Sequence, residues 1–391
     1  MNKRFKNYLL SSVLMMLAMG VTSCGDNEDT PEITDKGVVG SDAMISAACN
    51  SWKDARQDWE WSEAFLFGVA GDKAIDPHTD TWPFDKTKFN QYISKYNPAF
   101  NDDDATLIDD AIATGQNLTG FHAVEYLIFR EGKARSISDV TANEMYFAQS
   151  ASNDLYLNSL MLVAGWGGEI SAEEQDLLDD AEFECMDYGE DFINAGNPGS
   201  SYANITLATR QIISGAQDII GEVRDSKIGA PATGEDVNYI ESPHAYNSIQ
   251  DFYDNIMSCK HTLYGGWNIT GTPTPTSLIG VCLGISQLKT AAEDVEAKLD
   301  AALTAINNMK KPFVLYYNDN SAKNAMDALD ELDSALAELD QLIEPYTGNT
   351  TLESKFKTVN EEFVTKTVRP TYRALADNNK KLVAALNLIK W

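Results

Sequence analysis

The hydrophobic residues of this chain recur at intervals of three and four in one segment after another. Ile45, Ala48, Trp52, Ala55 and Trp59 form one such stripe. Leu288, Ala292, Val295, Leu299, Leu303 and Ile306 form a second, and Leu329, Leu332, Leu336, Leu339 and Leu342 a third. That spacing puts apolar side chains on one face of an α-helix. Ser41 is placed to cap a helix running to about Phe67. Thr141 with Glu144, and Ser171 with Glu174, read as capping boxes for helices to about Ala164 and Phe192. Further helices are predicted over about 88–96, 104–113 and 202–224, from Pro243 to about 264, and from Tyr372 to Ile389, with Pro370 dividing the last segment. No segment alternates convincingly with period two. The pattern predicts an all-α protein of two antiparallel helical bundles, its leucine stripes buried as core.

One predicted helix departs from this amphipathic norm. From Phe121 to Phe129 every residue is apolar or aromatic except His122 and Glu125. A helix apolar on all sides is a buried one. Its two polar residues stand at i and i+3, on the same face. Burying an imidazole and a carboxylate is costly unless they are paired or hold a metal. The residues alone leave two readings: a His–Glu pair that ties helices together, or part of a ligand site.

Length and charge narrow the picture. A chain of 391 residues exceeds the roughly 250–300 residues at which single cores stop growing, and the GNPGSS run at 196–201 is the best boundary. The units expected are 41–196 and 201–391. A formal net charge of −29 excludes bulk-charge binding to nucleic acid or anionic lipid. The amino terminus pairs a basic MNKRFK with an apolar run, Tyr8 to Val21, too short to span a bilayer. That run ends in Val21-Thr22-Ser23-Cys24, which resembles the lipobox of bacterial lipoproteins. Residues 1–23 are thus expected to be a signal peptide, Cys24 a lipid anchor to the membrane, and 24–40 a tether. The protein would be an outer-membrane lipoprotein of a bacterial envelope, facing the periplasm or the cell surface. Cys49, Cys185, Cys259 and Cys282 lack CxxC spacing and are expected to be buried free thiols.

Gly120-Phe121-His122-Ala123-Val124-Glu125 resembles the GxHxxE motif of the imelysin-like proteins. WKDARQDWEWSEAFLFG (52–68), IDPHTDTWPFD (75–85) and ESPHAYNSIQDFYDN (241–255) resemble other stretches of that family. In the last, the family's usual Ser-His-Asn reads Ala245-Tyr246-Asn247. The motif order implies the unpermuted form of the family, with a site between its two bundles and a role in iron uptake. That implies metal binding, iron first, with His122 and Glu125 as ligands and Glu63 and Asp76 adding hard oxygen donors. Arg56, Gly120 and Asn247 are further site candidates, Arg56 as a partner for one of the carboxylates. The partners implied are the metal ion and iron-uptake proteins.

Two other readings stay open. The family was named for peptidase activity, and HxxE can supply two zinc ligands, with His78, His244 or His261 as a third. The HExxH signature is absent, however. The Glu241–His244 string is not a helical pair, because Ser242 precedes a proline. No general base is identifiable, so the residues give peptidase activity little support. A non-catalytic module that grips a partner protein or glycan is the remaining reading.

Overall fold

The computed structural model describes residues 32–95 and 118–391, with 108, 111–113 and 115 between them. The signal peptide, Cys24 and most of the helix expected over 104–113 lie outside the described residues. The described chain is helical almost throughout. Its strands are two short hairpins, β1 (Glu32–Ile33) with β2 (Val39–Gly40), and β3 (Phe129–Arg130) with β4 (Lys133–Ala134). The first falls inside the expected tether. Val39 exchanges backbone hydrogen bonds of 2.7 and 2.9 Å with Lys390, so this part of the tether is tied to the end of the chain.

The helices, in order, are α1 (Asp42–Glu60), α2 (Val69–Asp72), α3 (Ile75–Thr79), α4 (Lys86–Lys95), α5 (Gly120–Ile128), α6 (Ala142–Gly165), α7 (Ala172–Asp180), α8 (Tyr188–Ile193), α9 (Ile205–Glu222) and α10 (Ala230–Thr233). Then follow α11 (Ser248–Tyr264), α12 (Leu278–Leu283), α13 (Lys289–Asn307), α14 (Phe313–Tyr316), α15 (Asn320–Ile343), α16 (Thr350–Glu362) and α17 (Arg369–Leu386). Both capping boxes form as expected, at Thr141 and Ser171. The α15 stripe is core through Leu329, Leu332, Leu336 and Leu339, but Leu342 is exposed and Ile343 is buried in its place.

Three expected helices are interrupted, each for a local reason. α1 stops at Glu60, where the chain tightens into a 3₁₀ turn, Glu63–Phe65, whose Ala64 N–H is held by the Ser258 hydroxyl at 3.1 Å. The helix expected over 171–192 breaks at Glu182, which takes a left-handed φ of 54°. Cys185 falls in that break and is exposed, whereas Cys49, Cys259 and Cys282 are buried; all four are free. The helix expected from Pro243 begins at Ser248, because Ser242 and Tyr246 both have positive φ.

Pro370 does not divide the last segment. A π-helical turn, Phe363–Val368, carries the chain from α16 into α17 with the proline in its first turn. A proline cannot bond the carbonyl four residues back. That carbonyl, on Lys366, instead accepts from the Trp267 N–H at 3.0 Å. The same device recurs after α9, where the π-turn Val223–Gly229 precedes Pro231.

α17 packs against α1 and α6, and α5 packs on both α1 and α6. The end of the chain therefore completes the packing begun by its first helix, across the division drawn at 196–201. α9, α11, α13 and α15 pack on one another, and α1 also meets α11. Trp52 and Trp59 on α1 are fully buried between these layers. No helix among the described residues is long and apolar enough to cross a membrane.

Candidate metal centre

Arg56, on α1, has no exposed surface. Its guanidinium pairs with Glu60 one turn on and with Asp80, which follows α3. It also reaches Glu241 at 2.8 Å and stands 3.8 Å from Asp251. Asp80 is held a second time by the Trp59 indole N–H at 2.8 Å. Asn255 donates to Glu60, and Asn247 donates to Asp251 at 2.7 Å. A second cation, Lys227 on the π-turn after α9, lies 3.1 Å from Glu241 and 3.7 Å from both Glu60 and Glu63.

The α5 helix brings His122 to this centre. Gly120 has a φ of 74°, and a Cβ there would lie 2.3 Å from the Thr79 carbonyl oxygen. Only glycine tolerates that conformation and that approach. The close contact sets His122 beside Asp80, with Nε2 2.9 Å from Asp80 Oδ1. Asp80 is its nearest partner, and among the described residues no backbone group or further side chain donates to or accepts from the ring. Trp82 covers the ring, with centroids 4.3 Å apart.

Glu125 does not face the carboxylates. Its Oε1 accepts the backbone N–H groups of His244 and Ala245, both at 2.7 Å, while Oε2 stands 3.8 Å from His122 Nδ1. The two residues of the expected HxxE pair therefore part: His122 lies beside Asp80, and Glu125 is bound to the 244–245 backbone. Glu63 belongs to the centre, and Asp76 lies near enough to act on Asp80 and Glu63 through its charge. Arg56 pairs with carboxylates, though with Glu60, Asp80 and Glu241 rather than Glu63 or Asp76. Sequence reasoning missed Glu60, Asp80, Glu241, Asp251 and Lys227 as members.

Three groupings have ligand atoms within 4.8 Å of one another: Asp80–His122–Glu241, Glu60–Glu63–Asp80, and Glu60–Glu241–Asp251. Among the described residues only His122 brings a nitrogen donor to them. His244 and His261 are neutral, burial pushing them down to about 4 and about 3.

The electrostatics show an excess of buried negative charge. Burial raises Glu60 and Glu63 well above the ordinary carboxylate range, despite Arg56 and Lys227. It pushes Asp251 up to about 7 and Asp76 to about 6. Burial would raise Asp80 too, but Arg56 and His122 hold it well below the usual range. Burial would lower His122, and the adjacent Asp80 outweighs this and raises it. Two fixed cations do not neutralise these carboxyls, so protons make up the difference. A multivalent cation can replace them. The His122 imidazole and the oxygen donors around it fit such an ion, and Asp80, His122 and Glu241 would hold it.

An all-helical protein with a buried carboxylate–histidine centre is the class that this architecture defines. The imelysin (peptidase M75) family model matches residues 38–361, and the chain belongs to that family. It is 26% identical over 227 residues to iron-regulated protein A of Synechococcus elongatus, covering 58% of this chain. The match spans 52% of that relative, about half its length. The fold is similar to the crystal structure of an iron-regulated protein A precursor from Parabacteroides distasonis (TM-score 0.60, 24% identity, 76% of this chain and 83% of that one). It is also similar to that of an imelysin peptidase from Bacteroides ovatus (TM-score 0.53, 22% identity, 69% of each chain).

Proposed function

We propose that this protein binds an iron cation as cargo in iron uptake, through Asp80, His122 and Glu241. The observation that carries the reading is the buried imidazole of His122, whose Nε2 stands 2.9 Å from Asp80 beside Glu241, with both carboxylates held in place by Arg56. Carboxylate oxygens with one imidazole suit iron. The name of the Synechococcus relative supports the choice of metal. Glu125 spends one oxygen on the 244–245 backbone, which weighs against an HxxE zinc peptidase. In the same reading the protein is held at the bacterial envelope by a lipid on Cys24. A Cys24→Ala variant should then leave the membrane fraction, and unchanged fractionation would reject the anchor.

Ligands must lose their protons to bind a metal, so affinity falls with pH. His122, raised above its ordinary value by the adjacent Asp80, is the ligand that still holds a proton near neutrality, so affinity should fall as pH drops through its range. Anaerobic calorimetry with ferrous ammonium sulfate should show binding at pH 7.5 that releases protons and weakens at pH 6. The absence of binding at pH 7.5 would sink the proposal.

A further inference from the structure

Both buried cations sit among the carboxylates that a metal would need, but they are held differently. Arg56 lies on a regular helix, paired with Glu60, Asp80 and Glu241 and set over the Phe121 ring at 5.5 Å. It is fixed by every one of these contacts. Lys227 is a compact charge on a flexible four-carbon stem. Its backbone lies in a π-turn, a feature frequent at functional sites, four residues before Pro231, which cannot bond back to the Lys227 carbonyl. Its ammonium lies 3.1 Å from Glu241, 3.7 Å from Glu60 and Glu63, and 3.8 Å from Glu222. The Glu222 side chain is 50% exposed, while that of Lys227 is 4% exposed. Glu222 therefore stands on the solvent side of the ammonium.

We propose that Lys227 is a tethered cation that occupies part of the metal's place, and that a multivalent cation enters by displacing its ammonium outward onto Glu222. The inference rests on the metal-binding reading above. No covalent bond is made or broken in this exchange; the ammonium gives up Glu241, with Glu60 and Glu63, as the incoming cation is taken by Asp80, His122 and Glu241. The device also sets specificity. A monovalent ion brings no more charge than the ammonium it must displace and gains nothing by entering. A divalent or trivalent ion gains the difference.

The test compares ferrous iron binding, by anaerobic calorimetry at pH 7.5, in the wild-type protein and Lys227→Met. Removing a competing positive charge a few ångströms from the ion should tighten binding at least about tenfold. Binding by the variant alone would equally support the exchange. Wild-type binding with unchanged or weaker affinity in the variant overturns the exchange and leaves the metal site standing. Binding by neither protein overturns both.

A second measurement uses only the wild-type protein, because the variant leaves Glu60, Glu63 and Glu241 with less compensation. Reductive methylation followed by peptide mass mapping reads the accessibility of each lysine amine. Lys227 should resist modification without metal and gain it, several-fold in yield, when iron is bound. Equal protection in both states would contradict the displacement.

Discussion

Replacing Arg56 by methionine is expected to destabilise the protein by about 3–5 kcal/mol at pH 7.5, the usual result of breaking a buried ion pair from one side. Arg56 is paired with Glu60, Asp80 and Glu241 and has no exposed surface. Methionine fills much of the same space, so the cost comes from charge rather than from a cavity. Its sign with pH follows from the same geometry. Without the guanidinium, Asp80 loses the larger of the two groups that hold it below the carboxylate range, and burial acts on it as on its neighbours. Carboxyls whose folded pKa is raised stabilise at low pH and lose that contribution as pH rises through the shifted values. The variant should therefore be closer to wild type at pH 5 than at pH 7.5. Urea unfolding at the two pH values measures this. A difference below about 1 kcal/mol at pH 7.5 would show that Arg56 is not the counter-ion of the centre.

The second large effect concerns the metal and not the fold. His122→Phe keeps an aromatic ring of similar size against Trp82, 4.3 Å away in the native protein, but removes both ring nitrogens. Asp80 keeps Arg56 and the Trp59 indole as partners. Stability should change little, while iron affinity falls by about 100-fold or more. Glu125→Gln is the matching control. Its carboxylate is anchored by the 244–245 backbone and stands 3.8 Å from His122 Nδ1, and loss of such an outer contact costs about 10–100-fold in affinity. Equilibrium dialysis of both variants, with thermal melts alongside, separates the roles. Full iron binding by His122→Phe would return the histidine to a structural part.

Much of this was legible in the sequence, and the limits have physical causes. The helices declare themselves through apolar spacing and through caps such as Thr141–Glu144, because these are local interactions. His122 stands out because it interrupts an apolar run. Asp80 and Glu241 do not, since they look like any carboxylates of an acidic chain. Arg56 and Glu241 are 185 residues apart in sequence, and only the packing of α1 against later segments brings them together. Glu125 misled for a related reason. Helical spacing puts it on the same side as His122, but the backbone that claims its oxygen arrives 119 residues later. Lys227 left a trace only in Pro231, which loosens the helix that carries it.

The most direct test of the central claim is a crystal of the protein soaked in iron and measured on both sides of the iron absorption edge. The expected result is one anomalous peak bounded by Asp80, His122 and Glu241, absent from His122→Phe crystals treated alike. A peak elsewhere in the molecule, or none at a concentration that saturates binding in solution, would contradict the assignment of the site.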